Sequence, residues 1–380
     1  MTPHDNRIDL IRPDAPELAR LGAHPVGVKT LELVNPAQLD VLAAIAGQPA
    51  VSDRKLVVEL WYPAATRGAG STYATVSRDG RTPVRLFGSA TRDAAALAGD
   101  FPLIILSHGY PGNRFLMGHL GENLASKGYL VASIDHPQST YDDPAYLGGQ
   151  AFGSTLVNRP LDTLFVADAL GATRIAVIGY SMGGYGALVA GGAGVSDAAV
   201  TMERGAGIGP YLARHRQPVA DPRLKAIVPI GPWGRQIGVW DGAGMAGLRV
   251  PALILAGSRD DVSGYEAGMR MIFAEAVGVT RHLLTFEGAG HNAAAPFPAP
   301  LESWSPVAWL PFVPFEHYAD AVWDTARMNN IAAHFVTAFL DIHLKGEAQK
   351  AAYLTEDWLG FAPNSAKGLR LESLPQGSPA

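Results

Sequence analysis

The stretch Arg174–Ala190, RIAVIGYSMGGYGALVA, decides the fold. Its first half is a near-continuous apolar run, as in a strand covered on both faces. Its second half is built of small and apolar residues and reads as a helix. Between them, Gly179-Tyr180-Ser181-Met182-Gly183 fits G-x-S-x-G in the order strand, sharp turn, helix. Such a turn forces the serine into an unusual backbone conformation, and side chains two residues to either side would collide. A helix starting at Ser181 also aims free N–H groups and a partial positive charge at the serine. Ser181 is therefore a candidate nucleophile rather than an incidental turn residue.

Outward from this corner, apolar runs alternate with helix-like segments. Runs at 28–34 and 55–63 read as an antiparallel pair, followed by 101–109, 128–137, 174–181, 224–231, 250–258 and 281–288. Helices are expected over 113–128, 160–172, 181–193 and 263–278. A long one is expected over about 317–345, where Tyr318, Val322, Ala326, Asn329, Ala333, Val336 and Phe339 recur at steps of three and four. The alternation predicts an α/β architecture: a mostly parallel eight-stranded sheet with helices on both faces. The domain is expected over 25–346, between an N-terminal extension (1–24) and a C-terminal tail (347–380). Segments 64–100, 192–223 and 292–316 break the alternation and are candidates for a cap; the last is too rich in proline for regular structure.

Composition narrows the function classes. The 380 residues are 48% hydrophobic and 17% charged, enough apolar material for a large buried core. A net charge of −5 without a dense Lys/Arg run gives no footprint for nucleic acid. The absence of cysteine excludes disulfides, cysteine-ligated zinc and a thiol nucleophile. No HExxH, EF-hand, Walker or CxxC pattern occurs, so neither a metal nor a cofactor is expected. No uninterrupted apolar run approaches the roughly 18 residues of a membrane span. The first twenty residues lack the basic flank and apolar core of a signal peptide, which makes a cytoplasmic location the default expectation.

A serine hydroxyl needs a base, and the base needs an orienting acid. On a sheet of this kind the partners follow later strands in the order Ser, acid, His. After ALILAG comes SRDD, with Asp260; after LLTFEG comes AGHN, with His291 in a glycine-flanked loop. Asp260 is the favoured acid, with its neighbour Asp261 and the more distant Asp241 as alternatives. Oxyanion donors are expected from the N–H of Met182, just after the nucleophile, and that of Tyr110 in SHGYPGNR; Pro111 has none to give. His108 reads as a buttress of that loop. Arg159 and Asp162 read as a structural pair at a helix start, and Arg114 as a solvated charge. Trp304, Trp309 and Phe312, shortly after His291, are candidates for an apolar substrate pocket.

In these segments the chain resembles the α/β-hydrolase superfamily, and within it the dienelactone-hydrolase-like bacterial serine hydrolases and the related platelet-activating-factor acetylhydrolase-like group. The likeness runs through LVVELWYP, LSHGYPGNR, LASKGYLVASIDHP, NRPLDTLFVADAL, IGYSMGGYGAL, LILAGSRDDV, GAGHN and AFLDIHLKG. It implies a Ser181-Asp260-His291 triad with Met182 and Tyr110 as oxyanion donors. The elbow carries serine where dienelactone hydrolases carry cysteine, so the resemblance implies hydrolysis of an ordinary carboxylic ester, small-molecule or polymeric. An acyltransferase or amidase with the same triad, and a non-catalytic binding module on this scaffold, are the alternatives.

Overall fold

The structure, a computed structural model, describes residues 6–48, 50–201 and 207–379. Twelve strands are found among them: β1 (Val26–Leu39), β2 (Val51–Pro63), β3 (Thr72–Val76), β4 (Pro83–Phe87), β5 (Thr91–Arg92), β6 (Leu103–Ser107), β7 (Leu130–Asp135), β8 (Ile175–Tyr180), β9 (Leu224–Ile230), β10 (Ala252–Gly257), β11 (Arg281–Phe286) and β12 (Leu369–Leu374). Ten of these form one sheet in the order β12-β11-β10-β9-β8-β6-β7-β2-β1-β5, and β3 pairs with β4 as a separate hairpin. From β7 across to β11 every pairing is parallel, while β2 against β7, β1 against β2 and β12 against β11 are antiparallel.

The parallel strands are buried on both faces, which explains why they read as unbroken apolar runs. Alternate residues of β6 separate into two cores: Ile104 and Leu106 on one side, Leu103 and Ile105 on the other. On the first side lie α1 (Gly118–Ala125) and α4 (Thr325–Lys345); on the second lie α2 (Phe152–Ala169) and α3 (Met182–Ala190).

All eight expected strands are present, and two more extend the sheet. At one edge is the two-residue β5. At the other, β12 pairs with β11 from Arg281↔Leu374 to Phe286↔Leu369, so the segment after 346 contributes a strand. Among the described residues no helix is long and apolar enough to cross a membrane.

Three helix starts differ from expectation; the helix expected from 113 begins at Gly118, after a turn over 114–117. The helix expected from Pro160 begins at Phe152, with Pro160 inside it. Proline lacks the N–H that would bond the carbonyl of Leu156; that carbonyl instead accepts from Tyr185 Oη at 3.0 Å, which ties α2 to α3. The long helix begins at Thr325 rather than near 317, because the Asp324 carboxylate accepts the Arg327 N–H and caps it there.

The insertions have distinct forms. Segment 64–100 holds the β3–β4 hairpin, and 292–316 is loop with short turns such as Leu301–Trp304. In 192–223 the short helices Asp197–Val200 and Gly209–Leu212 flank residues 202–206, which lie outside the described residues, as do residues 1–5 of the N-terminal extension. Within that extension Ile8 is buried in the core.

Candidate active site

The corner after β8 has the strained geometry that its sequence implies. Ser181 sits at φ +52°, ψ −111°, and α3 starts at the next residue. The flanking glycines answer to sterics. A Cβ on Gly179 would stand 2.1 Å from the carbonyl oxygen of Gly183, and a Cβ on Gly183 would stand 1.9 Å from that of Ser107. The backbone is held from both sides. The Ser181 N–H donates to the Ile230 carbonyl (2.8 Å), and the Ser181 carbonyl accepts from the N–H groups of Tyr185 and Trp233 (3.0 and 3.1 Å).

Three side chains from three strand ends meet here. Ser181 Oγ lies 3.0 Å from His291 Nε2, and His291 Nδ1 lies 2.8 Å from Asp260 Oδ2. The Asp260 carboxylate only accepts, so it keeps the proton on Nδ1 and leaves Nε2 free to accept from the serine. Asp260 is itself fixed, since its Oδ1 takes the N–H groups of Val262 and Ser263. The two alternatives lie elsewhere: Asp261 is exposed at the rim, and Asp241 caps the short helix Gly242–Met245. The loop that carries His291 is pinned beyond what sequence reasoning anticipated. Gly290 N–H donates to Asp320 (2.7 Å), Tyr180 Oη donates to Asn292 Oδ1 (2.9 Å), and Asn292 Nδ2 donates to the carbonyls of Glu316 and Ala319.

The expected oxyanion donors are free to act. Among the described residues neither the Tyr110 nor the Met182 backbone N–H has an acceptor within the protein. How the Tyr110 amide is aimed was not legible beforehand. Arg159, fully buried, donates through Nη1 to the carbonyl of His108, and through Nη2 to the carbonyl of Gly109 (2.8 Å) and to Ser139 Oγ (2.5 Å). In a trans peptide the N–H points opposite the C=O, so the tie to the Gly109 carbonyl turns the Tyr110 N–H away from Arg159. Burial pulls the Arg159 guanidinium down to about 9.

The expected Arg159–Asp162 pair is thus replaced by a different arrangement. Asp162 takes a bidentate bond from Arg54 (2.6 and 2.9 Å) and another from His136 Nδ1 (2.9 Å), while His136 Nε2 meets Ser107 Oγ at 2.9 Å. Burial opposes the Asp162 charge, but Arg54 and His136 outweigh it and hold the carboxyl at about 2. Burial, then the charge of Arg159, holds His136 at about 4. His108 buttresses the loop: its Nδ1 meets the Gly109 carbonyl at 2.7 Å, and burial keeps it well below the ordinary histidine range. Arg114 is not solvated; it joins Glu59 and Asp135 in a part-buried ion network.

The site opens into a cleft of about 400 Å³ whose lining includes Ser181, His291, Tyr110, Tyr180, Phe312 and Arg78. Of the three aromatic residues expected to form a pocket, only Phe312 does. Trp304 is 55% exposed and packs edge-on against Phe315. Trp309 donates to the Asp79 carbonyl (3.1 Å) with Arg81 over its ring, outside the cleft. Proximity to His291 in sequence says nothing about the path of a loop. An aromatic wall instead comes from Tyr110, with Tyr146 and Phe152 set edge-on against it.

A mostly parallel sheet with a strained serine at the strand–helix corner is the α/β-hydrolase fold. Residues 65–203 match the family model described as PET hydrolase-like, a span that includes Tyr110 and Ser181 but stops before Asp260 and His291. The chain is 27% identical over 214 residues to Cutinase 2 of Thermobifida cellulosilytica, covering 54% of this chain and 66% of that one. It is 30% identical over 166 residues to Cutinase est1 of Thermobifida alba, covering 42% and 43%. The chain therefore spans less than two thirds of the length of these relatives. A ferulic acid esterase from Streptomyces cinnamoneus superposes with a TM-score of 0.64 at 22% identity, covering 94% of this chain and 99% of that one; the fold is shared over nearly the whole length.

Proposed function

We propose that this protein hydrolyses carboxylic esters through an acyl-enzyme on Ser181. The observation that carries the reading is the continuous line from Ser181 Oγ to His291 Nε2 (3.0 Å) and from His291 Nδ1 to Asp260 (2.8 Å), open to the cleft. The cutinase and esterase names of the relatives support the same reading.

As Ser181 Oγ attacks the ester carbonyl, His291 Nε2 takes its proton, and Asp260 stabilises the imidazolium that forms. Negative charge grows on the carbonyl oxygen, where the Met182 and Tyr110 N–H groups and the N-terminus of α3 meet it. His291 then protonates the departing alcohol. Water, deprotonated by His291, attacks the acyl group and releases the acid and the free serine.

The test is a fluorophosphonate probe beside 4-nitrophenyl butyrate. The protein is expected to be labelled and active. Ser181→Ala is expected to fold with an unchanged melting temperature, take no label, and lose about 10⁵-fold in kcat. Labelling that survives the substitution overturns the assignment.

A further inference from the structure

The cleft carries one cationic side chain that the ester chemistry does not use. Arg78 stands in the turn between β3 and β4, far in sequence from Ser181, and lines the same cavity. The turn that delivers it is braced. The buried Asp79 carboxylate accepts from the N–H groups of Arg81 and Thr82 and from the Thr82 hydroxyl, and the Asp79 carbonyl takes Trp309 Nε1–H. The guanidinium carbon lies 5.2 Å from the centre of the Phe312 ring and 5.8 Å from that of Tyr146. Three excursions from the sheet thus meet at this point, and each contributes one planar group.

Among the described residues no carboxylate lies within ion-pair distance of Arg78, whereas Arg54, Arg92, Arg114, Arg235 and Arg270 each have one. It is also the one arginine or lysine among the described residues that line the cleft. The other basic group on this wall is His317. Its Nε2 meets Tyr141 Oη at 2.8 Å, and burial, then the charge of Arg78, holds it well below the ordinary histidine range, so it stays neutral. Two carboxylates share the lining. Glu316 is engaged through Oε1 with the Val313 N–H, and Asp261 is exposed at the rim. The lining therefore has no net positive field, and any preference for an anion has to come from direct contact with Arg78.

We propose that the cleft selects esters carrying a second, free carboxylate, and that Arg78 receives that carboxylate while the Phe312 and Tyr146 rings flank the spacer. The proposal rests on the ester-hydrolase reading of the site. A guanidinium offers two parallel donors to a carboxylate, and a half-buried one between rings competes with less water than a surface pair does.

The experiment measures kcat/KM for two matched pairs with the wild-type protein, Arg78→Gln and Arg78→Lys. One pair places the charge on the acyl side: 4-nitrophenyl hydrogen adipate against 4-nitrophenyl hexanoate. The other places it on the alcohol side: 4-acetoxybenzoate against its methyl ester. Dividing the anionic member by the neutral one removes any general effect of the substitution. The ratio is expected to fall at least about fivefold in Arg78→Gln in one of the pairs, mainly through KM, with Arg78→Lys between the two. A smaller change in both pairs overturns the proposal. If the wild-type protein hydrolyses none of the four esters, the ester-hydrolase reading itself has failed, a distinct outcome.

Discussion

Two Ser–His–Asp trios stand side by side in this molecule. Ser181, His291 and Asp260 are joined at 3.0 and 2.8 Å; Ser107, His136 and Asp162 are joined at 2.9 and 2.9 Å. Residue types and distances do not separate them, but their surroundings do. Ser107 lies in β6, hydrogen-bonded between β7 and β8, and its trio is buried throughout. Ser181 has a strained backbone, a cleft before it and a helix N-terminus beneath it. The acids differ as well. Asp260 spends its second oxygen on backbone N–H groups, whereas Asp162 is clamped by Arg54. A trio becomes a candidate for catalysis when its serine reaches a substrate and free donors wait for the oxyanion. The inner trio meets neither condition, and it holds the ends of β6 and β7 around the loop that carries Tyr110.

The sharpest way to break this comparison is to make the same change in both acids. Asp260→Asn is expected to lower kcat by about 10⁴-fold, because the amide no longer holds His291 in the tautomer that accepts from serine, with little effect on unfolding. Asp162→Asn is expected to do the reverse. It leaves Arg54 buried without its anion, a loss of about 3–5 kcal/mol in denaturant unfolding, while kcat of the folded protein falls less than in Asp260→Asn. Equal activity losses in the two variants would erase the distinction drawn here.

A smaller effect is expected at the loop that carries Tyr110. Arg159 binds the carbonyls of His108 and Gly109 and so aims the Tyr110 N–H. Arg159→Ala is expected to cost about 10²-fold in kcat with KM little changed, the mark of an interaction made in the transition state. Millimolar guanidinium is expected to restore part of kcat by filling the vacated site, which a purely structural role would not allow. An unchanged kcat in a folded variant would show that the peptide is held by other means.

How much of this was legible differs by type of information. The elbow, Asp260 and His291 follow from local patterns at strand ends, where spacing and chemistry agree, and the eight central strands follow from their apolar runs. What stayed hidden depends on contacts distant in sequence. Arg159 carries no sign that it reaches back to residues 108 and 109, and Pro160 suggested a helix start because proline is at home there; only the Tyr185 hydroxyl on the Leu156 carbonyl shows why it is tolerated within α2. Arg78 lies in a Gly/Ala/Arg/Thr-rich excursion whose fold is set by the Asp79 turn and by Trp309, more than 200 residues away. Trp304 and Trp309 were placed by nearness along the chain, and the loop path put them outside the cleft.

The smallest effect concerns two buried histidines, His136 within the inner trio and His119 on α1. His136 and His119 are held at about 4 by burial, with His119 Nε2 on the Ala295 carbonyl at 2.9 Å. A folded value below the ordinary 6.5 means that the unfolded chain takes up protons first as pH falls. Stability is therefore full above about 6.5 and declines as pH is lowered toward 4, where the folded state begins to protonate too. Each such histidine contributes a slope of up to ~1.4 kcal/mol per pH unit within that window. His119→Gln retains an amide donor for the Ala295 carbonyl and removes the titration. Unfolding free energies measured from pH 7 to 4.5 are expected to fall less steeply in this variant, by about one proton. A parallel profile would mean that His119 titrates alike in the folded and unfolded chains, and would leave the acid sensitivity to the other buried histidines, His136, His108 and His282 among them.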